Sequence, residues 1–127
     1  MLLTIDPRDS RPIYQQVADG IKALIAQGKL AEGASLPPVR QLAADLGVNL
    51  NTVATAYREL QKLGLVTISH GTGCVVTSSR TTERSQDQLL RTLRAALTDL
   101  KLSGVPSSEI RGLVSRELGT GAKRRKP

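Results

Sequence analysis

The sequence has no Phe and no Trp, and Tyr14 and Tyr57 are its only tyrosines. Proteins that bind single-stranded nucleic acid by base stacking need exposed aromatic rings, so that class is excluded. The one cysteine, Cys74, cannot form an internal disulfide, and together with the one histidine, His70, it supplies too few ligands for a zinc site. No metal and no cofactor are therefore predicted. Leu, Ile, Val and Ala must form the core, and Cys74 is expected to be a small buried strand residue, with a redox sensor as the alternative.

Long apolar runs are missing as well, so no membrane-spanning segment is predicted. The N-terminal residues MLLTIDPRD carry acids where a signal peptide has a basic flank, which predicts a cytoplasmic protein. No catalytic site is indicated either, because the lone histidine has no nearby Ser or Cys paired with an acid. The 127 residues give room for one compact domain and a short appendage, and the chain is not expected to be an enzyme.

The net charge of +7 suggests a polyanionic partner, but the positive charges are unevenly distributed. Residues 1–79 carry 7 basic and 6 acidic side chains, a net charge of +1, whereas residues 80–127 carry 11 and 5, a net charge of +6. The late excess includes the run KRRK in residues 121–127, which are predicted to be a basic disordered tail. Charge alone therefore does not locate a binding face.

Three segments repeat apolar residues every three or four positions, which predicts three amphipathic helices. The first follows Pro12 and is expected to end near Gly28. The second and third are expected to end at Gly47 and Gly64, with Asn49 as the N-cap of the third. The positions predicted to face inward are Ile13, Val17, Ile21, Leu24 and Ile25, then Val39, Leu42, Ala43 and Leu46, and then Val53, Ala56, Tyr57, Leu60 and Leu63. The segment AEGASLPP between the first two helices is predicted to be a loop.

The apolar period changes after the third helix. The segments LVTIS and CVVTS are rich in β-branched residues and flank the turn HGTG, so they predict a hairpin. Three helices followed by a hairpin, with a tight turn between helices two and three, is the order of a winged helix-turn-helix. The polar linker SSRTTERSQ follows. The sequence therefore predicts an α+β fold with a winged helix-turn-helix domain over residues 1–79.

Two shorter helical patterns follow the linker. Leucines spaced by three and four residues predict a helix over residues 89–102, which Gly104 and Pro106 break. We call these leucines the leucine row: Leu90, Leu93, Leu97 and Leu100. A second stripe contains Ile110, Leu113, Val114 and Leu118. Because the leucine row would otherwise stay in water, residues 80–120 are predicted to be a helical segment that forms a homodimer, with help from Ile110, Leu113 and Val114. Packing of this segment against the chain's own winged domain is the alternative.

With its apolar face inward, the third helix presents a largely polar stripe near its start. The outward residues are Asn49, Leu50, Asn51, Thr52, Thr55 and Arg58. An Asn side chain can bond adenine at two atoms, and a Thr methyl can touch a thymine methyl, so the stripe predicts contacts in the major groove of duplex DNA. The alternative is that these Asn and Thr side chains only cap the helix or face solvent.

Two other features favour DNA binding. Arg40 lies one turn into the second helix and can hold a phosphate or a guanine edge by two bonds, or else pair with Asp45 or Glu32 at the surface. The turn between the strands has no bulky side chain and is predicted to enter a minor groove, with a simple hairpin turn as the alternative. Its candidate contact residues are His70, Gly71 and Thr72.

Together these segments resemble the winged helix-turn-helix domain of the GntR family of bacterial transcription regulators. The resemblance runs from Pro12 to Val76, about half of the chain. The segment PIYQQVADGIKALIAQGKLAEGASLP is similar to the family's first helix and loop, LPPVRQLAADLGVNLNTVATAYRELQKLGLV to its helix-turn-helix, and HGTGCVV to its wing. The pattern VNxNTVxxAY and the short helical tail resemble the YtrA-like subfamily, whose members are dimers and often control transporter operons.

The resemblance implies a set of DNA contacts: Arg40, Asn49, Asn51, Thr52, His70 and Gly71. Pro38 departs from the family, which usually has a capping Ser there, so one phosphate bond is expected to be missing, although Pro suits a first helical position. Leu50 stands where many relatives have Arg or Pro, and Ala54 where many have Arg, so the relatives' base preferences do not transfer. The segment after the linker is too short for the large effector-binding domains of other members, and no effector can be assigned.

The sequence thus predicts a dimeric, sequence-specific DNA-binding transcription regulator, a repressor that binds an inverted-repeat operator. Its predicted partners are duplex DNA and a second copy of the chain. The alternative from a different class is a winged-helix module that binds protein, which the net charge of only +1 in residues 1–79 favours.

Overall fold

The computed structural model describes residues 3–69, 73–81 and 84–119. These residues form two compact units, one extending to Thr81 and one that follows it. The helices and strands are α1 (Ile13–Ala26), β1 (Ser35–Leu36), α2 (Val39–Leu46), α3 (Leu50–Lys62), β2 (Val66–Ser69), β3 (Gly73–Val76), α4 (Gln86–Leu102) and α5 (Ser107–Leu118). The predicted α+β class is confirmed. The predicted basic tail, residues 121–127, lies outside the described residues.

The core of the first unit forms where α3 packs on α1, α2 and β2. Its buried side chains are Val17, Ala18, Ile21, Ile25, Leu36, Leu42, Ala43, Val53, Ala56, Tyr57, Leu60, Leu65, Val66, Cys74 and Val76. The core is therefore aliphatic except for Tyr57, and Cys74 is buried on a strand as predicted. The prediction was wrong for Ile13, which is 44% exposed, because it is the first residue of α1 and the buried face begins one turn later at Val17.

The sheet has three antiparallel strands in the order β1–β3–β2. The predicted hairpin is present, with Val66 opposite Val76 and Ser69 opposite Gly73. The strand β1 is an addition to the prediction, since it lies in the segment interpreted as a loop. Leu36 of β1 is opposite Cys74. A strand of two residues is too short to show an alternating pattern, so the sequence could not reveal it.

In the second unit, α4 begins at Gln86, three residues before the predicted start. A capping box fixes this start: the backbone N–H of Gln88 donates to the Ser85 hydroxyl over 3.1 Å, and the Ser85 N–H donates to the Gln88 side-chain oxygen over 3.2 Å. The chain then turns at Gly104, whose φ of 94° favours glycine, and α5 packs on α4. Among the helices of the described residues, none has both the length and the apolar character needed to cross a membrane.

Candidate nucleic-acid interface

A tight turn joins α2 to α3. Gly47 ends α2 in the left-handed conformation, with φ of 69°, and the Val48 N–H donates back to the Ala43 carbonyl over 3.0 Å. Asn49 then begins α3 as its N-cap, because its side-chain oxygen accepts from the Asn51 N–H over 2.7 Å. The predicted cap is therefore confirmed, and the two caps fix the angle at which α3 leaves the turn.

Tyr57 fixes the inner face of α3. Its ring is buried among the core side chains, and its hydroxyl donates to the Pro37 carbonyl over 2.5 Å. Burial raises the pKa of this phenol far above its ordinary value, so it stays a neutral donor. The bond ties α3 to the residues just before α2, and the opposite face of α3 must point to solvent.

The outer face of α3 carries a polar row, which we define as Asn51, Thr55 and Arg58. Their spacing of four and three residues places them on one side of the helix. Asn51 and Arg58 are exposed and Thr55 is half-buried, and an Arg58 guanidinium nitrogen donates to the Thr55 hydroxyl over 3.1 Å. Thr52 is half-buried beside them. The structure thus brings the predicted outward residues of α3 to one surface.

Asn49 and Asn51 differ in what their side chains can still bind. The Asn49 oxygen is occupied by the cap bond, so its capping role is real and its NH₂ group remains as a donor. The Asn51 side chain has no hydrogen-bond partner among the described residues, so both its donor and its acceptor remain available. Of the two residues, Asn51 therefore has the side chain whose donor and acceptor are both free of intramolecular bonds, as the two-atom bond to adenine requires.

The start of α2 offers a second set of donors. Pro38 is the N-cap and makes no side-chain cap bond, and the N–H groups of Val39, Arg40 and Gln41 have no partner within the part of the chain that the structure describes. The expectation that Pro38 occupies the first helical position was wrong, because its ψ of 149° is extended and the helix starts at Val39. Free N–H groups at a helix start can bind an anion such as a phosphate.

The prediction that Arg40 lies one turn into the second helix was wrong, because α2 starts at Val39 and Arg40 is its second residue. The Arg40 side chain is exposed. It forms no ion pair with any described residue, so the alternative of a pair with Asp45 or Glu32 is not what the structure shows. The carboxylate of Glu32 instead accepts from the N–H and the hydroxyl of Ser79, over 3.2 Å and 3.3 Å. Arg40 is therefore free to bind a ligand from outside the chain.

The predicted minor-groove turn, His70, Gly71 and Thr72, lies outside the described residues. The strands that flank it are fixed to α3 by Gln61, whose side-chain oxygen accepts from the Ile68 N–H over 2.7 Å. The sequence could not reveal this contact of Gln61, because it depends on how α3 and β2 pack. Gln61 thus links α3 to the hairpin through β2.

Metal ligands and thiols are two other kinds of functional group to consider. The described residues include no group of three or more His, Cys, Asp or Glu side chains that could hold a metal ion. Burial raises the pKa of the Cys74 thiol to about 11, so the thiol stays protonated at neutral pH. The surface therefore offers amides, hydroxyls, one guanidinium at each helix and free backbone N–H groups, which are the groups that bind DNA bases and phosphates.

The family model described as bacterial regulatory proteins, gntR family, matches residues 13–76 of the chain. The chain belongs to the GntR family. The HTH-type transcriptional repressor YtrA of Bacillus subtilis is 34% identical to this GntR chain over 107 residues, 82% of each protein. This membership confirms the predicted function, a DNA-binding transcriptional regulator.

Solved structures agree with the membership. The GntR chain is 35% identical to YtrA from Sulfolobus acidocaldarius, a GntR-family transcription factor, with a TM-score of 0.62 over 78% of this chain and 99% of that one. It is 29% identical to AraR(DBD) in complex with operator ORX1, with a TM-score of 0.54 over 61% and 95% of the two chains. The winged helix-turn-helix is thus shared with a domain solved on operator DNA.

The residues predicted to form the GntR chain's dimer contacts all lie in its second unit. Leu90 and Leu93 are 46% and 48% exposed, and Leu97 and Leu100 are half-buried. Two other predicted contacts, Leu113 and Val114, are exposed as well, whereas Ile110 is buried and can only support the surface from below. The unit therefore presents apolar side chains to solvent that a single copy of it leaves uncovered.

Proposed function

We propose that this GntR regulator represses transcription as a homodimer that occupies an inverted-repeat operator. The observation that carries the proposal is the polar row of α3, which is exposed and held at a fixed angle by the Gly47 and Asn49 caps. The likeness to the repressor YtrA and to AraR(DBD) on operator DNA supports the same role.

Base recognition falls to α3. In the major groove, Asn51 bonds adenine at two atoms, Thr52 and Thr55 contact base edges or thymine methyl groups, and Arg58 reaches a phosphate or a guanine. The free NH₂ group of Asn49 supplies one further donor. In the same complex, His70, Gly71 and Thr72 enter the adjacent minor groove.

Phosphate binding falls to the start of α2. The Arg40 guanidinium and the free N–H groups of Val39, Arg40 and Gln41 offer donors to one or two phosphates of the duplex backbone. Phosphate contacts fix the register of a protein on DNA without reading its sequence. Arg40 therefore positions α3 over its bases.

The homodimer forms through residues 80–120, and residues 1–79 form the DNA-binding domain. Each leucine transferred from water to an apolar contact is worth roughly 1.5–3 kcal/mol. Leu90 and Leu93 are about half exposed in one chain, so pairing two leucine rows recovers part of this free energy for each. A two-fold axis places two recognition helices on half-sites about 34 Å apart or a multiple of that distance.

The resemblance of the sequence to the YtrA-like subfamily adds the regulated genes to the proposal: the protein acts in the cytoplasm and controls transporter genes near its own. The residues 121–127 add non-specific phosphate contacts to the complex or stay in solvent as a basic tail. No effector is assigned to the chain.

Selection of duplexes from a random library by the full-length protein, at about physiological salt, tests the proposal. We expect a consensus with two inverted half-sites, and an affinity that falls steeply as salt increases. Sedimentation of the complex should give two chains per duplex. Failure to enrich any consensus would instead support the protein-binding module that the low charge of residues 1–79 favours.

A further inference from the structure

Leu50 is an exposed apolar residue at the start of the recognition helix. It is the first residue of α3, and its side chain is 39% exposed. Ala54, half-buried, lies four residues later and therefore next to Leu50 on the same side of the helix. An apolar pair, which we define as Leu50 and Ala54, thus runs beside the polar row.

The polar groups around Leu50 are partly occupied. The Asn49 oxygen accepts from the Asn51 N–H, and the Arg58 guanidinium donates to the Thr55 hydroxyl. Near the start of α3, Asn51 is the amide side chain with both hydrogen-bonding groups available. Leu50 itself has no hydrogen-bonding side-chain atom, so it can contact a base edge only through an apolar group.

Only one apolar group stands on the major-groove edge of a normal base pair, and that group is the C5 methyl of thymine. The first turn of a helix that enters the groove end-on lies closest to the base edges. We propose that Leu50 reads a thymine C5 methyl in each half-site, with the Ala54 methyl in the same contact. This inference rests on the proposed function, because it assumes that α3 enters the major groove.

Uracil tests a methyl contact directly, and the Leu50 variants distinguish the contact of Leu50 from those of Thr52 and Thr55. It keeps the pairing face and both ring carbonyls of thymine and lacks only the C5 methyl. Thymines in the selected duplex are replaced by uracil one at a time, and the affinity of the full-length protein is measured for each duplex. At the thymine that faces Leu50 in each half-site, we expect the replacement to weaken binding about four-fold, the factor that burial of one methyl group is worth.

The variant Leu50→Ala should lose most of the discrimination between thymine and uracil at that position, because only the smaller contact of the Ala54 methyl remains. Leu50→Met, which keeps an apolar side chain of similar length, should retain the discrimination. Ile13→Ala is the matched control: Ile13 is 44% exposed but lies on α1, so this variant should discriminate as the unchanged protein does. Circular dichroism checks that each variant is folded.

The outcomes separate this inference from the proposed function. A selected consensus in which no thymine-to-uracil change matters would overturn the role of Leu50 and leave operator binding intact. Equal discrimination by the unchanged protein and Leu50→Ala would also overturn it, because another side chain would then read the methyl. Selection without any consensus would remove the proposed function itself.

Discussion

Asn49 and Asn51 stand two residues apart, yet their side chains have different tasks. The sequence pattern predicted Asn49 as a cap, because an amide before an apolar helical repeat is a common helix start. The structure adds that the Asn49 side-chain oxygen accepts the cap bond, whereas the Asn51 side chain keeps its donor and its acceptor unbonded within the described residues. A residue pattern cannot predict which of two neighbouring amides forms the cap bond, because that depends on the backbone geometry.

Asn51→Ala should weaken binding to the selected operator by about 1–3 kcal/mol, the usual value of a two-atom contact with a base. Binding to random duplex DNA should change little, because the side chain donates to no phosphate. Fluorescence anisotropy on both duplexes measures the two affinities. Equal losses on the two would make Asn51 a backbone contact.

Cys74 should be unreactive in the folded protein. Its side chain is buried and its pKa is raised to about 11, so Ellman's reagent at pH 8 should label it only after unfolding in guanidinium. The unfolded thiol loses its proton near pH 9 and the folded one only near pH 11, so its contribution to stability is complete below about pH 9 and falls as the pH rises toward 11.

Urea midpoints at pH 8 and pH 10 measure this loss, and Cys74→Ala should show a shallower decline between the two pH values. Rapid labelling of the folded protein at pH 8 would contradict the burial of this thiol and favour a redox role.

At the scale of the elements, long periodic segments were predictable and short or packed ones were not. The three helices of the first unit have apolar repeats and terminating residues, and the pattern located each of them. The strand β1 was missed because it consists of Ser35 and Leu36 alone and exists only through its pairing with β3. The start of α4 was predicted three residues too late. Ser85 and Gln88 have the spacing of a capping box, but Ser85 was interpreted as part of the polar linker.

The proposed phosphate contact of Arg40, at the start of α2, can be tested by substitution. Arg40→Gln removes the charge that faces phosphate and keeps a polar side chain of similar length, so affinity should fall for the operator and for random duplex DNA alike. The slope of log affinity against log salt should become shallower by about 0.9, the value of one phosphate contact. Gln41→Ala is the control: it removes the neighbouring exposed side chain but keeps the backbone N–H group of residue 41, so it should leave the slope unchanged.

Titration of both duplexes over a range of salt measures these slopes. A loss confined to the operator would show that Arg40 holds a guanine edge instead of a phosphate.

At the scale of the whole molecule, composition narrowed the classes of function to consider, and the order of the residues located the candidate binding face. The scarcity of aromatic rings and of Cys and His argued against several classes of protein, and the net charge of +7 pointed to a polyanion without locating a face. The polar row of α3 was predictable because the apolar residues of the helix face the core, so the polar residues on the other side must face outward. The coupling of α3 to the hairpin through Gln61, and to the start of α2 through Tyr57, depends on tertiary packing.

Leu97→Glu should dissociate the dimer, because a carboxylate within an apolar contact has neither water nor a partner. Operator affinity should fall sharply while the far-ultraviolet circular dichroism stays the same. Thr98→Glu adds the same charge on the exposed neighbouring side of α4 and should remain dimeric. Sedimentation of the two variants decides the matter, and a dimeric Leu97→Glu that binds the operator normally would exclude the leucine row as the interface.

In the proposed dimer, the leucine row would also determine how the regulator responds to its own abundance. Where monomers prevail, the concentration of dimer rises as the square of the total, so a two-fold change in synthesis becomes about a four-fold change in the species that binds the operator. The promoter then switches over a narrow range of protein level. A conservative change such as Leu93→Val would move that range to a higher level of protein without altering a single contact to DNA.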